Sequence, residues 1–383
     1  MNFDLNEEQR LLSESVQRYL ADQYDFESRK KILASEGGAS AAVWKGMAEM
    51  GLMGIPFAES SGGFGGGAVD LMSAMQAIGE ALVVEPFLAT VLSGRLVERA
   101  GSAAQRGEIL PGVIDGSTRL AFAHTEDGAR YRLAHVGVSA KRTADGWRLD
   151  GLKRVVDGAP HADLLVVSAR TAGKPGDAQG IGLFLVARDA TGVKMSAYRT
   201  VDNHRAADVR LDGVTVRADA LLGSEGGALP VIEEAVDFAT ALLCAEAVGA
   251  IKFANDTTLE YLKTRKQFGV PIGTFQALQH RMVDMYVSYE QAKSMACLAA
   301  SKSDSQGNGG KDRTSAVDRA RSISAAKIKI ADNCRHISQE AIQLHGGMGM
   351  TDEMKVSHTF RRLTMIAQQF GDAEHHLARF ASL

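Results

Sequence analysis

The sequence predicts an α+β fold in which two helical regions flank a middle β-domain. Apolar residues recur at helical spacing before about residue 117 and again after about residue 229, whereas short β-forming runs alternate with Asp- and Gly-rich turns between them. We therefore expect an N-terminal helical domain over 1–117, a middle antiparallel β-domain over 118–228, and a C-terminal four-helix bundle over 229–383.

The composition is typical of a soluble globular protein. The 383 residues are 45% hydrophobic and 23% charged, with a formal net charge of -3, so no positive excess is available for a nucleic-acid backbone. The amino terminus has no basic region followed by an apolar one, and no apolar run reaches membrane-spanning length. Three separated cysteines fit reduced packing residues. We expect a cytoplasmic protein without nucleic-acid or membrane partners.

The N-terminal region contains a helix start and a glycine-rich run. Asn6 and Gln9 have the spacing of a capping box, in which each side chain accepts a hydrogen bond from the other residue's backbone N–H. The glycine-rich run over 62–67 invites interpretation as a phosphate-binding loop. Because no βαβ unit surrounds it, we interpret it as a connecting loop.

The C-terminal region contains long helical patterns separated by polar or glycine-rich breaks. The first pattern is almost entirely apolar in its middle, which predicts burial between other helices. The predicted elements are helices over about 230–263, from about 275 onward and over about 315–344, with a polar loop over 303–313 and a helix stop at Gly346.

A short turn between the first two of these helices combines a cation, an aromatic ring and a glycine. Residues 261–276 read YLKTRKQFGVPIGTFQ. Arg265 supplies planar donors suited to phosphate, Phe268 supplies a ring, and Gly269 allows a close backbone approach. The combination predicts a site for a cofactor phosphate, although a lone arginine near a glycine is more often an ordinary surface residue.

This segment closely resembles the Y-x-x-x-R-x-x-F-G-x-P-I-x-x-F-Q signature of the acyl-CoA dehydrogenase family. Residues 343–349, QLHGGMG, resemble the family's Q-x-x-G-G-x-G element, and the similarity extends over essentially the whole chain. The resemblance implies FAD as the cofactor and a site shared between subunits, hence a homo- or hetero-oligomer, either dimer or tetramer. The implied FAD contacts are Arg265, Phe268, Phe275 and Gln276 from one subunit, and Gln343 and Gly347 from its neighbour.

The first predicted strand resembles the family's flavin-binding motif only in its first half. Residues 122–128 read FAHTEDG, which keeps Thr-Glu but not the later Gly-Ser-Asp. The resemblance implies flavin contacts from Phe122, His124 and Thr125. In the family's G-x-K-x-W-I-T segment, Val155 replaces Trp and Asp157 replaces Thr. Because those two family residues usually flank and hydrogen-bond the flavin ring, we expect the ring contacts to differ here.

The resemblance implies oxidation of an acyl-CoA substrate to its trans-2-enoyl form, with electron-transfer flavoprotein as the acceptor. In this reaction a carboxylate removes the α-proton while the β-hydrogen leaves as hydride. The family's two positions for a catalytic Glu align with Phe370 and Ala239, and neither side chain can accept a proton. The nearest candidates are Asp372, which alternatively caps the last helix, and Glu246, which in so apolar a helix is either functional or paired with Arg or His.

A chain that keeps the cofactor motifs but lacks the base fits a subunit whose catalytic carboxylate comes from a partner. Several segments, including 370–381, are most similar to the small subunit of a two-component family member that acts on a dicarboxylyl thioester. Two other classes stay open. One is a flavin-dependent monooxygenase of the same fold, which needs no α-proton base, and the other is a non-catalytic acyl-CoA-binding or scaffold subunit. The histidines do not have metal-ligand spacing, so we predict no metal site.

Overall fold

In the computed structural model, which describes residues 6–304 and 315–383, the chain forms two compact units. One unit comprises Met1–Lys31, Gly67–Val83 and Thr240–Leu383, and the other comprises Ile32–Gly66 and Val84–Ala239. The predicted polar loop over 303–313 lies outside the described residues except for its first two positions, which end a helix. The domain boundaries at 117 and 228 stay a prediction.

Helices account for most of the first unit and for part of the second. Their ends follow local sequence: Asn6 Oδ1 accepts a hydrogen bond from Gln9 N at 2.8 Å and Gln9 Oε1 accepts one from Asn6 N at 3.0 Å, which confirms the capping box. The helices are α1 (Glu7–Gln23), α2 (Phe26–Ala34), α3 (Ala41–Glu49), α4 (Ala68–Ala81), α5 (Phe87–Ala100), α6 (Ala103–Ile114), α7 (Leu229–Thr264), α8 (Gln276–Asp304), α9 (Ala316–His345), α10 (Lys355–Gln368) and α11 (Ala373–Ser382).

The second unit is built around an eight-stranded sheet within the described residues. Its strands are β1 (Leu120–Ala123), β2 (Ser139–Arg142), β3 (Gly146–Asp157), β4 (Leu164–Arg170), β5 (Ile181–Ala187), β6 (Val193–Arg199), β7 (Arg205–Arg217) and β8 (Leu221–Leu222). They follow the order β6-β7-β3-β2-β4-β5-β8, and β1 pairs with β4.

The sheet is mostly antiparallel, as predicted, but β1 runs parallel to β4, with Leu120 opposite Leu164. The chain between them contains β2 and β3, so no tight hairpin forces this pair to be antiparallel. Apolar side chains at alternate strand positions form the hydrophobic core of this unit. In this core the rings of Trp147 and Phe184 meet edge to face at a centroid distance of 5.2 Å. Helix α5 packs against β1.

In the helical unit, α4 and α7 approach each other through glycines. A Cβ added at Gly79 would lie 2.0 Å from the carbonyl oxygen of Glu246, and one at Gly249 would lie 1.8 Å from that of Gln76. Only glycine permits this backbone separation. Helix α9 packs against α8, α10 and α11. None of the helices in the described ranges is long and apolar enough to cross a membrane.

Candidate functional site

The arginine-bearing turn is a β-hairpin that projects its side chains outward. Strands β9 (Lys266–Gln267) and β10 (Val270–Pro271) are antiparallel. The two residues at the tip, Phe268 and Gly269, have φ of +54° and +80°, the backbone that a two-residue hairpin turn requires. Arg265 is exposed just before the hairpin, and the Phe268 side chain is 91% exposed. Such exposure of a strained aromatic residue indicates a surface that contacts another molecule.

The hairpin continues into the start of α8. The rings of Phe268 and Phe275 meet edge to face at 6.2 Å. Gln276 is the exposed first residue of α8, so the start of a helix lies beside these rings. The four residues predicted from this segment therefore lie close together along one exposed stretch.

The second motif lies at the end of α9 and contacts the first within the same chain. The ring of Tyr261, one turn before Arg265, stacks on the ring of His345 at 4.5 Å. Burial lowers the pKa of His345, and its Nδ1 lies 2.8 Å from the carbonyl oxygen of Ala341. This contact joins the two segments within one chain, whereas the division of the FAD contacts between subunits that the resemblance implied stays a prediction.

Gln343 and Gly347 are exposed beside this contact. A Cβ placed on Gly346 or Gly347 would meet nothing within 4 Å, so the backbone there is open to an incoming group. We call the exposed set Arg265, Phe268, Phe275, Gln343 and Gly347 the Arg265 face. Its guanidinium, its aromatic rings and its open glycine backbone fit the phosphates and the flat rings of a dinucleotide.

The flavin-binding motif that begins in β1, residues 122–128, is less exposed to solvent than the implied flavin contacts suggest. Phe122 is half-buried, and its ring stacks on that of His124 at 5.0 Å. The His124 ring is buried, with Nδ1 2.9 Å from Ser168 Oγ. Burial and then the charge of Lys153 lower the pKa of His124 to about 3, so the ring is neutral. Thr125, just after β1, is exposed.

The position where the family usually has Trp is a strained bulge. The pairing of β3 with β7 shifts register between Lys153 and Val156. Val155 within the shift has a φ of +48° and is 52% exposed, a conformation that β-branched residues rarely adopt. Its N–H donates to Asp208 Oδ1 at 3.1 Å, which holds the bulge in place. Asp157 is half-buried and pairs with Ala206 in the sheet.

The two candidate bases, Glu246 and Asp372, make the contacts that were the structural alternatives to catalysis, an ion pair and a helix cap. Glu246 is 3% exposed and accepts hydrogen bonds from Arg362 Nε at 2.6 Å and Nη2 at 2.8 Å. Asp372 caps α11, since its Oδ1 accepts a hydrogen bond from His375 N at 2.8 Å. At the two aligned base positions, Ala239 is fully buried and Phe370 is half-buried with a φ of +59°. A catalytic role for Glu246 or Asp372 stays a prediction.

Three sequence profiles of one family match the chain in order. They describe the N-terminal domain of acyl-CoA dehydrogenase over residues 6–117, the middle domain over 121–214 and the C-terminal domain over 227–382. The chain belongs to the acyl-CoA dehydrogenase family. The expected fold, with helical, β and helical parts, is thereby confirmed, as are the expected enzyme class and FAD as the cofactor.

Individual relatives of this acyl-CoA dehydrogenase family member match along nearly their whole length. Acyl-CoA dehydrogenase FadE12 of Mycobacterium tuberculosis is 29% identical over 377 residues, which cover 96% of this chain and 93% of the relative. A solved variant of the Tcur3481–Tcur3483 steroid ACAD is 30% identical, with a TM-score of 0.85 and coverage of 98% and 97%. The ChsE4–ChsE5 complex from Mycobacterium tuberculosis shares the fold at 24% identity, with a TM-score of 0.87 and coverage of 100% and 98%.

This acyl-CoA dehydrogenase family member buries Lys153 completely in β3, which the place of this lysine in the G-x-K-x-W-I-T segment did not indicate. Leu149, Gly151 and Lys153 share one face of the strand by their spacing of two, and Leu149 is fully buried. A lysine on the inward face of a strand is rare unless it is paired, so the alternation of residues along β3 was the signal in the sequence that could have identified Lys153.

The described residues contain no group of three or more His, Cys, Asp or Glu that could hold a metal ion.

Proposed function

We propose that this chain is the FAD-binding subunit of a two-component acyl-CoA dehydrogenase and receives its catalytic carboxylate from a partner subunit. One observation carries the proposal. The aligned base positions hold Phe370 and Ala239, while the two neighbouring carboxylates, Glu246 and Asp372, are engaged by Arg362 and by the start of α11. The similar ChsE4–ChsE5 structure is a complex of two components, which supports a heteromeric assembly.

The Arg265 face would hold the dinucleotide end of the cofactor. Arg265 would bind phosphate, Phe268 and Phe275 would contact a ring, and the open backbone at Gly347 would allow close approach. Thr125 and the backbone of His124 would support the flavin end. The FAD held there would supply the hydride acceptor for the β-hydrogen of an acyl thioester. We propose electron-transfer flavoprotein as the subsequent electron acceptor.

The substrate class that we propose is an acyl-CoA with a second carboxylate. The segment around Glu246, the hairpin segment and the end of the chain over 370–381 resemble the small subunit of pimeloyl-CoA dehydrogenase, a two-component enzyme. A pimeloyl-CoA-like thioester is therefore the first substrate to test, beside saturated monocarboxylic thioesters of matched length.

Binding of FAD by the Arg265 face can be tested without turnover. Arg265→Met and Phe268→Ser change exposed side chains, so we expect the melting temperature of the cofactor-free protein to stay as in the wild type while FAD affinity falls about tenfold or more. Fluorescence titration with FAD measures the affinity. The matched control is Lys263→Met, an exposed cation on the last turn of α7 whose ammonium pairs with Glu260. Unchanged FAD affinity in both face variants would reject this assignment.

The missing base can be tested by anaerobic spectroscopy of the FAD-loaded chain. On addition of acyl-CoA thioesters we expect weak or no bleaching of the flavin band, because Phe370 and Ala239 cannot accept the α-proton and the nearest carboxylates, Glu246 and Asp372, are already hydrogen-bonded. Rapid bleaching by the chain alone, abolished by Asp372→Asn or Glu246→Gln, would place the base in this chain.

The absence of a base at the aligned positions also favours one rival, a flavin-dependent monooxygenase. In that case acyl-CoA would not reduce the flavin, whereas a flavin reductase would support oxygen consumption in the presence of a substrate. Oxygen uptake under these conditions therefore separates the two functions.

A further inference from the structure

The ammonium group of Lys153 is the centre of a polar cluster inside the sheet unit. Its Nζ donates to the carbonyl oxygen of His124 at 3.1 Å, to Glu126 Oε1 at 2.6 Å and to Ser168 Oγ at 2.9 Å. A lysine has three N–H donors, and here all three are used. Lys153 on β3 therefore joins the end of β1 to β4.

The partners of Lys153 are themselves engaged. Ser168 Oγ accepts from Lys153, so its hydroxyl proton is directed to Nδ1 of the neutral His124 ring at 2.9 Å. The Glu126 carboxylate also accepts from the backbone N–H of Gly137 at 2.7 Å and of Val138 at 3.1 Å. A buried network in which the polar atoms are satisfied stabilises one arrangement. The arrangement fixed here is that of residues 124–126.

Arg154, the next residue of β3, also binds the segment that follows β1. Arg154 N donates to the carbonyl oxygen of Thr125 at 2.7 Å. The Arg154 guanidinium binds Asp127 at 2.9 Å and Asp208 at 2.6 Å, and Asp208 also receives the N–H of Val155. These hydrogen bonds and ion pairs hold the exposed residues Thr125 and Val155 beside each other.

The free energy spent on burying the Lys153 ammonium and on straining Val155 indicates that this arrangement does more than pair the strands. A buried ammonium must be desolvated, and burial lowers the pKa of Lys153 to about 8, with Glu126 opposing the shift. Val155 adds a left-handed backbone that disfavours a β-branched residue. Strain of this kind persists at sites that bind or position a ligand.

We propose that Lys153 is a positioning residue for the flavin, because its three hydrogen bonds fix the exposed edge formed by Thr125 and Val155. The inference rests on the proposed function, in which this edge supports the flavin end of FAD. Lys153 does not itself contact the cofactor, since its side chain is fully buried.

The test compares Lys153→Met with Lys141→Met, an exposed lysine on the neighbouring strand β2. Three quantities are measured: FAD affinity by titration, the visible spectrum and midpoint potential of the flavin at saturating FAD, and folding by circular dichroism. For Lys153→Met we expect FAD affinity to fall about tenfold or more and the spectrum and potential of the bound flavin to shift. For Lys141→Met we expect wild-type values.

A second variant keeps the inference testable if Lys153→Met does not fold. Ser168→Ala removes the link to His124 and leaves the pair of Lys153 and Glu126, so we expect a smaller shift of the same kind in a folded protein. Wild-type FAD affinity, spectrum and potential in the folded variants would overturn the role of Lys153 while leaving FAD binding intact. Failure of the wild-type chain itself to bind FAD would overturn the proposed function as well as this inference.

Discussion

At the scale of single residues, the buried pair of Glu246 and Arg362 has a large consequence for stability. Both side chains are almost completely buried and are joined by two hydrogen bonds. Neutralising Glu246 takes its charge and two charge-assisted hydrogen bonds from the buried Arg362 guanidinium, and breaking a buried pair in this way costs about 3–5 kcal/mol. We therefore predict that Glu246→Gln markedly lowers the free energy of unfolding, measured by urea denaturation.

The same helix provides the control. Glu260 in α7 pairs with Lys263 at 2.8 Å but is 66% exposed, so Glu260→Gln should change stability by no more than about 0.5 kcal/mol. If Glu246→Gln instead kept wild-type stability and abolished acyl-CoA oxidation, Glu246 would be the catalytic base.

Asp372 can be separated from a catalytic role by two substitutions. Asn caps helices about as well as Asp, whereas Ala removes the acceptor and costs about 1 kcal/mol. We predict that Asp372→Asn keeps the wild-type melting temperature and that Asp372→Ala lowers it. A base would behave differently, because Asp372→Asn would then eliminate activity without any loss of stability.

At the scale of elements, the approach of α4 to α7 depends on glycine. In Gly249→Ala the new methyl group would lie far inside contact distance of the Gln76 carbonyl oxygen, so the helices must move apart. We predict a loss of about 1–3 kcal/mol or more, measured by thermal unfolding.

The control for this prediction is Gly107→Ala in α6, an exposed helical position where a Cβ would meet nothing within 4 Å. There the better helix propensity of Ala should stabilise the protein by up to about 1 kcal/mol. Equal effects of the two substitutions would contradict the account of helix packing.

The helices could be predicted from sequence because their signals are local. The apolar run that became α7 and the glycine stop at Gly346 depend on residues within a few turns. The parallel pairing of β1 with β4 and the bulge at Val155 could not be predicted in this way. The bulge depends on Asp208, which approaches Val155 only in the folded sheet.

The candidate site could likewise be predicted only where its signals are local in the sequence. The motifs around Arg265 and Gly347 can be recognised in the sequence, but the stacking of Tyr261 on His345 forms only in the tertiary structure. The network around Lys153 likewise joins residues from three strands and a loop, so no single stretch of sequence contains it.

At the scale of the whole molecule, the Arg265 face is a surface that we expect to be covered. Phe268 is 91% exposed and Met350, shortly after the glycine motif, is 74% exposed. Apolar side chains with this exposure, next to a cation and an open backbone, are expected to be covered by the cofactor and by another subunit. The cofactor and the assembly are therefore expected to depend on each other.

The most direct measurement is size-exclusion chromatography of the purified chain with added FAD, monitored by light scattering and by absorbance of the flavin. We predict that FAD elutes with a species larger than one chain. A colourless monomer that takes up no FAD, or a monomer that binds FAD stoichiometrically, would contradict the account.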